Sequence, residues 1–407
     1  MRITRRSPLA ARTTLGVGGE AEVLVEVAGG AREVTAALEA VDGAVGAGEV
    51  AGEASAGSAS EVSGPVAARV LLGEGSNVVV SDHGLAGTTL VLRGGGVGAV
   101  ESCGAAVRVT ADGGMPWDDL VAWAVDEELA GIELLSGIPG TVGAAPVQNI
   151  GAYGQALDET FVALEAVDRR TGERVTLGPG DCAFGYRDSR FKRDWQDRYI
   201  IAEVTLELSR TTRSPLAYRD LDLHFQREGG DPQALADRRA AVLAVRRAKS
   251  MVVDPGDPFS RSAGSFFMSP WLPREQAIAL VDGVRGPGAG ERLFSWYSGA
   301  DAEEVKVPAA MVLLAAGFAN GDRWGTVGLS PRHVLAIVNL GGASAQQVAD
   351  LAGHIRATVA ERLDVTLRPE PRFLGEFADF DPERFAAWAR YTPGDGATPS
   401  WARDAVR

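Results

Sequence analysis

Residues 137–154 read GIPGTVGAAPVQNIGAYG. Glycine stands at 137, 140, 143, 151 and 154, in a stretch without a charged side chain. Glycine lets the backbone take positive φ or approach another surface closely, while Pro139 holds φ near its fixed value. Gln148 and Asn149 add amide donors and acceptors. Such a segment can line a buried planar ligand that carries a pyrophosphate. It can also be a glycine-rich structural crossover. A second glycine turn, GEGSN at 73–77, lies between the hydrophobic runs RVLL (69–72) and VVV (78–80). Several backbone N–H groups can converge there on one anion, with Ser76 and Asn77 adding side-chain donors. Alone it reads as a hairpin turn. The two segments together favour a cofactor site. Neither a P-loop nor an all-glycine Rossmann pattern occurs, so a dinucleotide would be held another way.

Around these turns the chain alternates short strands with helices. AEVLVEV (21–27), TLVLR (89–93), AVRVTA (106–111), 161–168, 173–177 and 199–208 have strand patterning. A helix is expected over 31–41. Another follows Pro116, with Leu120, Val121, Ala124 and Val125 inward, and further helices fall at 233–249 and 344–363. The mixture predicts an α+β protein. Of the 24 residues from Asp42 to Pro65, 16 are Gly, Ala or Ser, which predicts a flexible surface insertion. The polar SRTTRSP (209–215) suggests a boundary: 1–210 as one domain, 211–376 as a second, and 377–407 as a surface tail with Trp388 and Trp401 packing locally.

Composition narrows the function. Among 407 residues, 54 acidic side chains outnumber 40 basic ones, giving a formal charge of −14. That sign argues against nucleic acid and against a polybasic membrane anchor. Two cysteines, Cys103 and Cys182, make no disulfide framework and suit a reducing cytoplasm. The four scattered histidines and the absence of zinc or calcium motifs predict no metal site. The N-terminus lacks the apolar run of a signal peptide, and no apolar stretch reaches a membrane span. Lysine occurs at Lys192, Lys249 and Lys306 alone.

Several polar residues sit in unusual company. SAGSFFMSP (262–270) places Ser265 before two phenylalanines, where a hydroxyl could pass a proton if a neighbour restored it. A serine capping a turn is the plainer reading. FGYRDSRFK (184–192) carries Arg187, whose planar fork suits carboxylate or phosphate, or else a self-paired surface cluster. LRPEPRF (367–373) holds Glu370 between prolines, in a fixed direction or in a surface turn. Arg246 and Lys249 close the helix that begins near 233, either complementing its C-terminus or binding a phosphorylated ligand. Tyr218, in PLAYRDL (215–221), could stack on a ligand or simply pack at the surface.

In order along the chain, RTTLGVGGEA, LGEGSNVVVSD, GIPGTVGAAPVQNIGAYG, FGYRDSRFK, AGSFFMSP, HVLAIVN and RPEPRFLG resemble the UDP-N-acetylenolpyruvoylglucosamine reductases. The likeness runs from Arg12 to Gly375, except for 42–65, and PLAYRDL is similar to the substrate-loop segment of one subclass. It implies an FAD-binding domain of the p-cresol methylhydroxylase/vanillyl-alcohol-oxidase type, in two subdomains, plus a C-terminal α+β substrate-binding domain. FAD would be non-covalent and NADPH the co-substrate. By the same likeness Gly73, Glu74, Gly75, Ser76 and Asn77, with Gly137, Ile138, Pro139, Gly140, Thr141 and Gly143, cradle the cofactor. Gln148, Asn149, Tyr153 and Gly154 continue that lining. The implied reaction reduces UDP-N-acetylglucosamine enolpyruvate for peptidoglycan synthesis, in the cytoplasm and as a monomer. Ser265 matches the proton donor. Arg187 and Glu370 match the groups that stabilise the enolate, and Glu370 would have to be protonated to donate. Tyr218, Arg246, Lys249, Ser269 and His333 fall at substrate-binding positions. Met268 and Ser269 replace the family's usual lysine and asparagine, so Ser269 makes a shorter contact or cedes it to water. The alternative is another FAD-linked oxidoreductase, of alcohol oxidase type, on the same flavin fold.

Overall fold

The structure is a computed structural model, described over residues 1–27, 34, 36, 68–211, 214–216, 218–298 and 302–389. The expected insertion at 42–65 and Trp401 lie outside the described residues, as does the helix expected over 31–41 apart from Val34 and Ala36.

The chain forms two compact units. The first contains Met1–Pro8, Glu20–Gly75 and Gly84–Val252. Its four-stranded sheet runs in the order Arg2–Pro8, Glu20–Val27, Leu85–Leu92, Ala68–Leu72, with the last two pairings parallel. A five-stranded antiparallel sheet runs Arg174–Leu177, Phe161–Asp168, Tyr199–Ser209, Ala106–Asp112, Val97–Cys103. Val23, Val25, Leu90 and Leu92 of one sheet share a core with Val167, Ile200 and Ala202 of the other. The helix Trp117–Asp126 starts directly after Pro116, and all four of its expected inward residues are buried.

The second unit contains Leu9–Gly19, Ser76–His83 and Val253–Arg407. The antiparallel strands Arg323–Trp324, Val327–Ser330 and His333–Asn339 pack with the helices Ala309–Ala315 and Ala345–Leu363 around one core. Ser344 caps the longer helix by accepting from Gln347 N, while Gln347 Oε1 accepts from Ser344 N. Val78–Val80 pairs in parallel with Arg372–Leu374, and Val79 is fully buried in this core. Gly18, at φ +128°, passes so close to Val80 that a Cβ would lie 2.9 Å from its Cβ.

Two boundaries differ from the expectation. The helices Arg219–Glu228 and Leu235–Ala248 belong to the first unit, not the second. Their Leu221, Ala241 and Val242 bury against Leu134, and Arg238 pairs with fully buried Glu133 at 3.0 Å. Ser209 ends a strand inside the first unit, which continues to Val252. The expected tail, as far as Ala389, is part of the second unit's core and not an appendage. Phe385 stacks on His354 at 4.3 Å, and Arg384 pairs with buried Asp350 at 2.6 Å.

Candidate active site

The first unit carries Gly73–Gly75, the 137–154 segment, Arg187, Tyr218, Arg246 and Lys249. Much of the glycine-rich segment is bonded to its own surroundings. Gly137 donates to Asp118 Oδ1 at 2.6 Å, Gly140 to Glu74 Oε2 at 2.9 Å and Gly143 to Gly113 O at 2.8 Å. A Cβ on Gly137 would lie 2.8 Å from Leu243, and one on Gly143 would lie 2.8 Å from Ile201 O. These two glycines admit neighbouring backbone and helix. Burial raises the Glu74 carboxyl above its usual range, and the Gly140 N–H and the charge of Arg93 partly oppose that.

Other groups remain for a ligand. Among the described residues, the backbone N–H groups of Glu74 and Gly75 find no protein acceptor, and Gly75 turns at φ +65°. Gly154 turns at φ +88°, with nothing within 4 Å of where a Cβ would stand. Uncommitted backbone N–H groups at a glycine turn suit a pyrophosphate, and an open glycine suits a flat ring, so these residues fit FAD.

The amides of Gln148 and Asn149 knit loops together. Asn149, at φ +42°, donates from Nδ2 to Gly185 O at 2.9 Å and accepts from Asp158 N at 3.2 Å. Gln148 Oε1 accepts from Lys192 at 3.1 Å. Arg187 sits at φ +53° in a turn closed by reciprocal bonds between Gly185 and Asp188. Its guanidinium donates to the carbonyls of Asn149 and Gly151. Tyr153 and Tyr218 meet edge to face at 5.6 Å. Arg246, 8% exposed, donates to Met251 O at 2.8 Å, and among the described residues its buried Nε has no hydrogen-bond partner. Burial pushes the Tyr153 phenol up, and adjacent Arg246 opposes it. Lys249 pairs with Asp220 at 2.5 Å where both are solvated.

The second unit carries Ser76, Asn77, Ser265, Ser269, His333 and Glu370. Phe266 donates to Leu335 O and accepts from Glu370 N, and Met268 donates to Arg368 O. The 265–268 segment is thereby held between the strand His333–Asn339 and residues 368–370. Ser265 Oγ lies 3.1 Å from His333 Nε2. Asn77 Nδ2 donates to Glu370 O at 3.4 Å, and Arg372 N donates to Asn77 O. One frame therefore brings together Ser265, His333, Glu370 and Asn77. Ser269 Oγ accepts from Ala309 N at 3.3 Å, capping the first turn of a helix. Sequence reasoning missed the pairing of Ser265 with His333. A strand that begins with histidine carries no signal of which hydroxyl will lie opposite. Among the described residues no group of His, Cys, Asp and Glu could hold a metal, and no helix is long and apolar enough to cross a membrane.

Fold and site suit a flavin-binding protein, and the family matches make it an FAD-dependent oxidoreductase. Residues 65–178 match the FAD binding domain family, and residues 255–374 match the UDP-N-acetylenolpyruvoylglucosamine reductase, C-terminal domain family. The chain is 40% identical over 372 residues to a UDP-N-acetylenolpyruvoylglucosamine reductase of Thermobifida fusca, covering 91% of this chain and 98% of that protein. It is 37% identical over 372 residues to one of Streptomyces coelicolor, covering 91% and 89%. The crystal structure of the reductase from Thermus caldophilus shares the fold, with a TM-score of 0.55 at 24% identity, covering 92% of this chain and 98% of that one. The chain belongs to the UDP-N-acetylenolpyruvoylglucosamine reductase family.

Proposed function

We infer that this protein reduces UDP-N-acetylglucosamine enolpyruvate to UDP-N-acetylmuramate for peptidoglycan synthesis, with FAD as cofactor and NADPH as co-substrate. When bound, FAD supplies the two-electron chemistry, accepting hydride from NADPH and delivering it to the enol ether. The chain's residues manage charge and a proton. Addition to the enol ether places negative charge on the carbon next to the carboxylate, as an enolate. Arg187, with Glu370 in its protonated form, offsets that charge, because preorganised groups need not reorient as it develops. Ser265 delivers the proton to that carbon. A lone serine is a weak acid, and His333, 3.1 Å away, would return the proton to it. Glu74, Gly75 and Gly154 hold the cofactor with the rest of the two glycine segments. Tyr218, Arg246 and Lys249 bind the nucleotide diphosphate. The enzyme works as a cytoplasmic monomer, without nucleic acid or membrane as partner.

The observation that carries this reading is the Ser265 hydroxyl held 3.1 Å from His333, on the same paired segments that hold Glu370. The test mixes flavin-loaded enzyme anaerobically with NADPH and then with the enolpyruvyl substrate. Flavin absorbance should bleach and then return. Flavin that stays bleached after substrate is added would remove the substrate assignment and favour another flavin-linked oxidoreductase.

A further inference from the structure

Lys192 is one of three lysines in the chain, and the reaction above gives it no task. It closes the short turn Arg190–Lys192. Its Nζ donates to the backbone carbonyl of Arg187 at 2.9 Å and to Gln148 Oε1 at 3.1 Å. One ammonium thus joins the tip that presents Arg187 to the segment that carries the carbonyls of Asn149 and Gly151. Those are the carbonyls on which the Arg187 guanidinium rests.

Arg187 occupies a left-handed backbone conformation that side-chain-bearing residues rarely adopt. Relaxation out of that region would rotate its carbonyl and swing its Cα–Cβ bond, carrying the guanidinium away from its two carbonyls. A bond to the Arg187 carbonyl opposes that rotation. Attachment of the loop as a whole does not depend on Lys192. Asn149 already reaches Gly185 O, and Ser189 Oγ donates to Val147 O at 2.8 Å. What lysine adds is a donor aimed at the strained residue itself, and its three protons allow it to serve both partners at once.

We propose that Lys192 is a positioning residue for Arg187, holding the catalytic arginine in its left-handed conformation and fixing the segment against which it is oriented. The proposal rests on the role given to Arg187 above. It predicts strong coupling between the two residues.

The experiment is a double-mutant cycle of K192M, R187M and the double variant. The rate of substrate-driven flavin reoxidation is measured per bound flavin. K192M should slow that step on the order of 30-fold in the wild-type background and by less than about twofold in the R187M background. The full loss in both backgrounds would mean that Lys192 acts independently of Arg187, overturning the proposal. If K192M fails to retain flavin, K192Q carries the same comparison. If R187M itself leaves the step unchanged, the role of Arg187 is wrong, and a crystal structure of K192M then decides the positioning claim. Arg187 should leave positive φ and release Gly151 O. An unmoved Arg187 would overturn the proposal.

Discussion

The arginine turn of the first unit and the serine segment of the second are built on opposite plans. Arg187 is held through strained backbone, two acceptors on its guanidinium and a lysine on its carbonyl. Ser265 lies in a segment fixed by ordinary strand-like pairing, and its hydroxyl has a hydrogen bond to one ring nitrogen of His333. The contrast suits the tasks proposed for the two residues. A charge that must offset a developing enolate works best when it cannot move. A hydroxyl that must release and regain a proton needs a partner that can exchange one.

Ser265→Ala tests the contrast with the largest expected effect. The substrate half-reaction should slow on the order of 10³-fold, within the range of general acid catalysis, while bleaching by NADPH persists. Equal slowing of both halves would reduce Ser265 to a structural residue. Arg187→Met should cost on the order of 10²-fold in the same step, and a loss confined to KM would show that it only binds substrate. The fixed character of the first unit can be attacked at its buried ion pair. Arg238→Met leaves Glu133, 0% exposed, without its cation, and should destabilise by about 3–5 kcal/mol in urea titration. Glu133→Gln combined with Arg238→Met should recover part of that loss.

In the second unit the expected effect is pH-dependent. Burial, then the charge of Arg362, hold the His354 imidazole below its ordinary value. The unfolded chain therefore takes up this proton more readily. His354 contributes stability that is fully present above about pH 6.5 and is lost as pH falls toward the depressed folded value. His354→Leu should flatten the fall in melting temperature between pH 7.5 and 5.5, and an unchanged slope would assign the fall to other groups. The smallest effect belongs to Lys249 and Asp220, exposed by 38% and 45%. Asp220→Asn should change stability by about 0–1 kcal/mol, because solvent screens such a pair.

Local chemistry made much of this legible beforehand. Pro116 placed the helix Trp117–Asp126, and strands at 161–168, 173–177 and 199–208 fell within a residue or two of their observed ends. Ordered motifs placed Ser265, Arg187 and Glu370 together as candidates. The uses of individual glycines were not legible. Gly137 and Gly143 serve close packing, while Gly154 faces open space, and in the sequence all three are the same residue. The acceptors of Gly140 N–H and Asn149 Nδ2 lie far away in sequence, at Glu74 and Gly185.

By itself the sequence determined the periodicities, the turn residues and the chemical types at the site, because these depend on neighbours within one or two turns of chain. Only the tertiary structure decided that Leu9–Gly19 and Ser76–His83 join the second unit, that Phe385 buries against His354, and that His333 stands opposite Ser265. Each of those outcomes is set by packing and hydrogen bonding between segments distant in sequence. No local pattern records them, since the same strand, turn or helix would satisfy its own backbone equally well beside another partner.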